Sequence, residues 1–111
     1  MSKIDRSEFP DDDDGEVLFA LASEGVDLSR KRELEFYCYA ENESTAEKIA
    51  DDLSTYGYRP SLQVDGDQKV SVYLAIVMLP SYDLIVLEQK RLDIILARHK
   101  TRCDGWMTGS D

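Results

Sequence analysis

Between residues 34 and 108 the spacing of apolar residues reads, in order, strand, helix, strand, strand, helix, strand, with turn residues at most joints. Few architectures accept that order. It predicts an α+β fold, a ferredoxin-like βαββαβ sandwich. Such a sandwich has an antiparallel four-stranded sheet in the order 4-1-3-2 with two core helices on one face. The same fold hosts many unrelated activities, so function has to be sought elsewhere in the chain.

The individual elements follow from local pattern. Leu34, Phe36, Cys38 and Ala40 alternate with Glu35, Tyr37, Tyr39 and Glu41, which is the period of a strand with two distinct faces. Ser44 and Glu47 have the spacing of a capping box, and Ala46, Ile49, Ala50 and Leu53 mark the buried stripe of the helix they open. Gly57 ends that helix. Residues 59–64 form a short polar strand in which Pro60 suits a sheet edge, and Asp65-Gly66-Asp67 supplies a hairpin turn. Residues 69–79 are apolar on both parities, as expected of a strand at the sheet centre. Ser81 caps the last helix, whose core stripe includes Leu84, Ile85, Leu92, Ile95 and Leu96. Residues 103–108 return as the fourth strand. Ahead of this core, residues 1–10 read as a flexible arm, and residues 11–111 as a single domain. An extra N-terminal helix begins at Asp11-Asp12-Asp13-Asp14 and stops at Gly25.

A chain of 111 residues with 42% apolar content can bury a core without disulfide staples. No apolar run approaches the roughly 20 residues of a membrane helix, and the start lacks a signal core. A soluble, cytoplasmic protein without membrane partners is expected. Cys38 and Cys103 lack the spacing of metal ligands. They read as packed, reduced thiols, with a redox pair on neighbouring strands as the sharper alternative. No cofactor motif is present.

The net charge is −10, which disfavours direct nucleic-acid binding and favours a basic protein segment as partner. The charge is unevenly placed. Residues 1–16 and residues 41–67 each hold seven acids and two bases, whereas residues 88–102 hold five bases and two acids. On the first core helix Glu47, Asp51 and Asp52 should face solvent and offer an acidic surface. Tyr37, Tyr39 and Tyr73 should share the sheet face opposite the core helices. RNA-recognition modules place stacking aromatics there, but the neighbours here are Glu35, Glu41 and Ser71. An RNA-binding module is therefore the alternative reading. The other expectation is that the N-terminal helix, or a second copy in a homodimer, covers this open face.

No catalytic constellation emerges. His99 stands where it can act as a cation at a helix C-terminus. The four aspartates read as a solvated helix start rather than a cation site, because they lack the alternation of a calcium loop. In Asp104-Gly105-Trp106 the glycine permits a close backbone approach, with Asp104 and Trp106 two residues apart on one side. Trp106 fits either a core edge or a binding anchor.

Four stretches carry a resemblance. They are Pro10-Asp11-Asp12-Asp13-Asp14-Gly15 with Val17-Leu18; Gly25-Val26-Asp27-Leu28 leading to Arg32 and Glu35-Phe36; residues 46–53 with Gly57-Tyr58; and Asp104-Gly105-Trp106. In this order and spacing, across roughly residues 10–108, the chain resembles the family of bacterial regulators of ribonuclease activity B. The resemblance implies a ferredoxin-like fold and no catalysis. It implies inhibition of the endoribonuclease that organises the bacterial RNA degradosome, by binding that enzyme's protein scaffold. Ending at Asp111, the chain is expected to lack the long acidic C-terminal tail of the best-known members.

Overall fold

A computed structural model describes residues 5–64 and 69–108. Strands β1 (Arg32–Ala40), β2 (Pro60–Val64), β3 (Val70–Met78) and β4 (Gly105–Thr108) form one antiparallel sheet. Its order, β2-β3-β1-β4, is the expected 4-1-3-2 order read from the other edge. Among the described residues three α-helices accompany it: α1 (Asp13–Ser23), α2 (Glu43–Thr55) and α3 (Tyr82–Leu96), the last running into a 3-10 turn at Ala97–His99. A single 3-10 turn, Arg6–Glu8, precedes α1. The hairpin expected at Asp65-Gly66-Asp67 lies outside the described residues. The fourth strand starts at Gly105 rather than Cys103, because residues 101–104 form an irregular approach.

The period-two pattern of β1 sets the layers. Leu34, Phe36, Cys38 and Ala40 are all buried, and so are Val70, Val72 and Leu74 of β3 and Trp106 of β4. Register puts Phe36 beside Leu74 on one side and Trp106 on the other, so one face of the sheet is continuous core. Ala46, Ile49 and Leu53 of α2, with Ile85, Leu92, Ile95 and Leu96 of α3, close that core.

Helix α2 is capped differently from expectation. Asn42 is extended (φ −156°, ψ 171°) and its side chain accepts from the Thr45 N–H at 2.8 Å. A cap must be extended to turn its side chain back on the first turn, and Ser44 already lies within that turn. Gly57, at φ +91°, supplies the left-handed residue that ends the chain's helical path there.

Two further expectations are corrected. Leu84 is 41% exposed and is not part of the core stripe of α3. Helix α1 does not cover the open sheet face but joins the helix layer beside α3. Leu18 enters the core, Tyr82 donates to Asp12, and Gln89 donates to Asp14 at 3.0 Å. On its other flank α3 meets α2 through Tyr58, which follows α2 and donates to Glu88 at 2.6 Å. The helix layer therefore runs α1, α3, α2, with α3 in the middle.

Candidate functional site

The odd-numbered residues of β1 face away from the core. Tyr37 stands opposite Tyr73 on β3 and opposite Gly105 on β4. Its ring centroid lies 5.9 Å from Tyr39 at a 69° tilt, and 6.1 Å from Tyr73. These contacts, edge-to-face with Tyr39 and tilted at 45° with Tyr73, tie the three expected tyrosines into one aromatic cluster. Gly105 is what lets Tyr37 lie flat across the sheet. A Cβ at that position would come within 2.6 Å of the Tyr37 hydroxyl oxygen. Burial, with the neighbouring Tyr39 and then the Asp104 carboxylate, raises the Tyr37 pKa above the ordinary tyrosine value.

Among the described residues no helix packs over this cluster. Val77 on the same parity of β3 is 67% exposed, and Tyr39 and Met107 are exposed as well. Two open hollows flank the cluster. One is lined by Glu35, Arg59, Ser61, Gln63, Tyr73 and Ala75. The other is lined by Tyr39, Lys100, Thr101, Arg102 and Asp104. The border of the aromatic face thus carries both signs of charge. The sequence reading placed only acids and a serine there, because Arg59, Lys100 and Arg102 are brought in from loops and not from the strands.

The acidic residues of α2 lie on the other side of the sheet. Glu47 and Asp51 are exposed on the outer face of the helix, as its periodicity predicted. Asp52 is not a free surface acid. It is half-buried and accepts from Arg98 at 3.3 Å and pairs with His99 at 3.0 Å. The Arg98 guanidinium also stacks 5.4 Å over the Tyr56 ring. His99 therefore ties the end of α3 to α2, so its partner is a carboxylate and not the helix carbonyls alone.

Asp104 and Trp106 separate as well. Asp104 is exposed beside Tyr39, and its N–H donates to the Tyr37 carbonyl at 2.8 Å. Trp106 is 6% exposed, on the core face. Its indole N–H donates to Asp14 at 2.9 Å. The four aspartates thus divide their work. Asp12 caps α1 by accepting from Gly15 N–H at 2.8 Å and also accepts from Tyr82. Asp14 accepts from both Trp106 and Gln89, while Asp11 and Asp13 are exposed. Sequence reasoning had the whole run solvated. It missed this link because a bond across 92 residues leaves no periodic signal.

The thiols are free. Burial pushes Cys38 up to about 12 and Cys103 up to about 11, which leaves little thiolate for redox chemistry near neutrality. Among the described residues no group of His, Cys, Asp and Glu is arranged to hold a metal ion. None of their helices is long and apolar enough to cross a membrane.

Comparison with known proteins adds one finding. A family model described as regulator of ribonuclease activity B matches residues 11–108. A search of curated proteins finds no match.

Proposed function

The chain belongs to the regulator of ribonuclease activity B family, and from that premise we propose that it is a non-enzymatic protein-binding regulator of a bacterial endoribonuclease. We read its strand order and one-sided helix layer as ferredoxin-like. Its binding face is the open side of the sheet, and the partner is a basic segment of the ribonuclease scaffold.

The observation that carries this reading is the uncovered cluster of Tyr37, Tyr39 and Tyr73, whose rim holds Glu35 and Asp104 beside Arg59, Lys100 and Arg102. Tyrosine rings offer large, stiff contact area and a negative π-face, which suits Lys and Arg side chains laid across them. Each such contact is worth about 0.5–1 kcal/mol at an exposed site, more when water is excluded. Glu35 and Asp104 at the rim supply partners for such cations. The exposed acids of α2, Glu47 and Asp51, lie on the opposite side and act at longer range, raising the encounter rate with a basic partner. A regulator built this way occupies positively charged protein that would otherwise engage RNA, and needs no reacting group of its own.

Lys100 and Arg102 beside Tyr39 favour one second reading, an RNA-binding module that stacks bases on the tyrosines. A net charge of −10 opposes it, because RNA affinity rests on phosphate neutralisation.

The test is capture of the endoribonuclease from a bacterial lysate by the immobilised full chain, with and without prior nuclease treatment. The enzyme should be retained in both cases and lost with the double variant Tyr39→Ala, Tyr73→Ala, whose fold is checked by circular dichroism. Filter binding of generic single-stranded RNA at low salt should give no complex. A micromolar RNA complex abolished by the same double variant would replace this reading with the RNA module.

A further inference from the structure

The three helices end in the same way, and the third does so on a residue that its backbone disfavours. After α1 the Gly25 N–H donates to the Ala22 carbonyl and the Val26 N–H to the Leu21 carbonyl. After α2 the Gly57 N–H donates to Ser54 and the Tyr58 N–H to Leu53. Beyond α3 and its 3-10 turn the Lys100 N–H donates to Ala97 and the Thr101 N–H to Leu96. Each pair of bonds closes a helix by putting its first donor in the left-handed region. There φ is +89° for Gly25, +91° for Gly57 and +59° for Lys100. Glycine takes that conformation freely, whereas a Cβ crowds the following carbonyl and costs stability. Among the described residues Lys100 alone has a positive φ without being glycine.

The single chain makes no use of this lysine. Lys100 is exposed, and among the described residues its ammonium has no hydrogen bond or ion pair. The negative end of the helix is already served by Arg98 and His99 in the last turn. The loop that follows is held down on both sides. Thr101 Oγ1 donates to the Tyr39 carbonyl at 3.1 Å, the Cys103 N–H to Asp93 at 2.7 Å, and the Asp104 N–H to the Tyr37 carbonyl at 2.8 Å. Thr101 and Cys103 are half-buried, while Lys100, Arg102 and Asp104 are exposed. Lys100 lines two hollows that meet at Tyr39, one shared with Arg102 and Asp104 and the other with Glu41 and Thr45. A strained position that the fold does not need, held at the rim of the aromatic face, belongs with function.

We propose that Lys100, with Arg102, is a specificity-determining contact for a carboxylate of the protein partner, seated beside the Tyr39 ring. The proposal rests on the sheet-face reading and refines the segment bound there. A purely basic segment is repelled at this end by two cations. A polyanion is repelled by Glu41 and Asp104, which line the same hollows. What matches the rim is a segment of alternating sign, with bases toward Glu35, Glu41 and Asp104 and one acidic side chain at Lys100 and Arg102. The Arg102 guanidinium offers the planar fork that a carboxylate accepts.

Lys100→Gly separates this role from a structural one, because it relieves the backbone and removes the ammonium together. The variant should unfold at a higher urea concentration than the wild type. It should also bind purified, nuclease-treated endoribonuclease about two- to fivefold more weakly at low salt, read by surface plasmon resonance. Lys100→Arg keeps the charge and the strain, and should match the wild type in both measurements. Lys100→Glu should bind more weakly than Lys100→Gly. Wild-type affinity in Lys100→Gly overturns the proposal. So does a Lys100→Gly protein less stable than the wild type, which would make the lysine structural. If Lys100→Gly binds normally while Tyr39→Ala with Tyr73→Ala does not, the sheet face stands and only the Lys100 contact falls. A wild-type chain that does not bind the enzyme removes both. Filter binding of generic single-stranded RNA that Lys100→Gly weakens would assign the two cations to phosphate and overturn the proposal as well.

Discussion

The bond between the Trp106 indole N–H and the Asp14 carboxylate joins the start of the domain to its last strand, and its energy can be isolated. At 2.9 Å it has good geometry for an N–H to carboxylate bond. Hydrogen bonds to a charged group are worth about 1.5–3 kcal/mol, and Asp14 is only half-buried and keeps Gln89 as a second donor. About 1–2 kcal/mol of coupling is therefore expected. Trp106→Phe removes the donor and keeps much of the apolar body. Asp14→Ala removes the acceptor. The two singles and the double form a cycle in which the packing loss from indole to phenyl cancels. Urea titration must be followed by circular dichroism at the helix bands, because Trp106 is the only tryptophan and its fluorescence disappears with the mutation. Trp106→Ala, outside the cycle, should cost about 3–5 kcal/mol, since a side chain 6% exposed leaves a large void. That loss threatens a domain whose total stability is about 5–15 kcal/mol. A coupling energy below about 0.5 kcal/mol, the scatter expected of independent sites, would refute the link. A stable Trp106→Ala protein would refute the packing role.

Gly15→Ala should destabilise by about 1–3 kcal/mol in the same titration, although alanine is normally favoured in a helix by roughly 0.5–1 kcal/mol, because the new Cβ would lie 2.0 Å from the Pro10 carbonyl oxygen. The Tyr82 hydroxyl, then the Gly15 N–H, hold the Asp12 carboxyl below its ordinary value of 3.8. A depressed folded-state pKa contributes stability above the unfolded value that is lost as pH falls through the folded one. The stability gap between wild type and Tyr82→Phe should therefore be constant near neutrality and shrink on acidification below 3.8; a gap that persists undiminished there would count against it. Alkylation of the native protein at about pH 8 should be slow at both thiols, with only about a thousandth of Cys103 ionised if its pKa is about 11; labelling at the rate of an unfolded control would contradict this. Glu47→Lys with Asp51→Lys should slow association with the basic partner and flatten its salt dependence while changing dissociation little, as stopped-flow or surface-plasmon kinetics would show. An unchanged association rate would remove α2 from the encounter.

What was legible in the sequence was what repeats. Alternation in residues 34–40 named both faces of β1, and the tyrosine cluster followed from it because register only had to place Tyr73 opposite Tyr37. The strand order followed from the sequence of elements. What was not legible depends on single meetings between distant residues. The apolar spacing of Leu84 with Ile85 and Leu92 looks like core, yet α3 is the middle of three helices, and its contacts to α1 and α2 use other flanks. Leu84 is left off both flanks, and nothing periodic in residues 13–23 says on which side of the sheet α1 sits. The cap of α2 is Asn42 and not the expected Ser44 for a related reason. Both can cap, and the sequence does not say at which of them the backbone is extended.

The same reasoning explains why two of the four stretches that marked the family are recognisable at all. Pro10 through Gly15 and Asp104-Gly105-Trp106 look like unrelated fragments, one acidic and one aromatic. In the fold they are one assembly. Pro10 sits on the bare Cα of Gly15, Asp12 starts α1 and holds Tyr82, and Asp14 reaches Trp106. One residue before that tryptophan, Gly105 leaves room for Tyr37 on the opposite face. A side chain at Gly15 or Gly105 would collide with Pro10 or with the Tyr37 hydroxyl. The assembly therefore constrains the last strand at Trp106 and, through Gly105, the centre of the tyrosine face. A substitution that loosens Asp14 should consequently be felt in two places, as lost stability and as a displaced Tyr37, although Asp14 touches no partner. Asp14→Ala should thus weaken capture of the endoribonuclease beyond what its unfolded fraction explains. Tyr37 ring resonances in an NMR spectrum should shift with it, while those of Tyr56, at the far end of α2, should not. If Tyr37 stays fixed while stability falls, the first helix supports the fold alone and not the binding face.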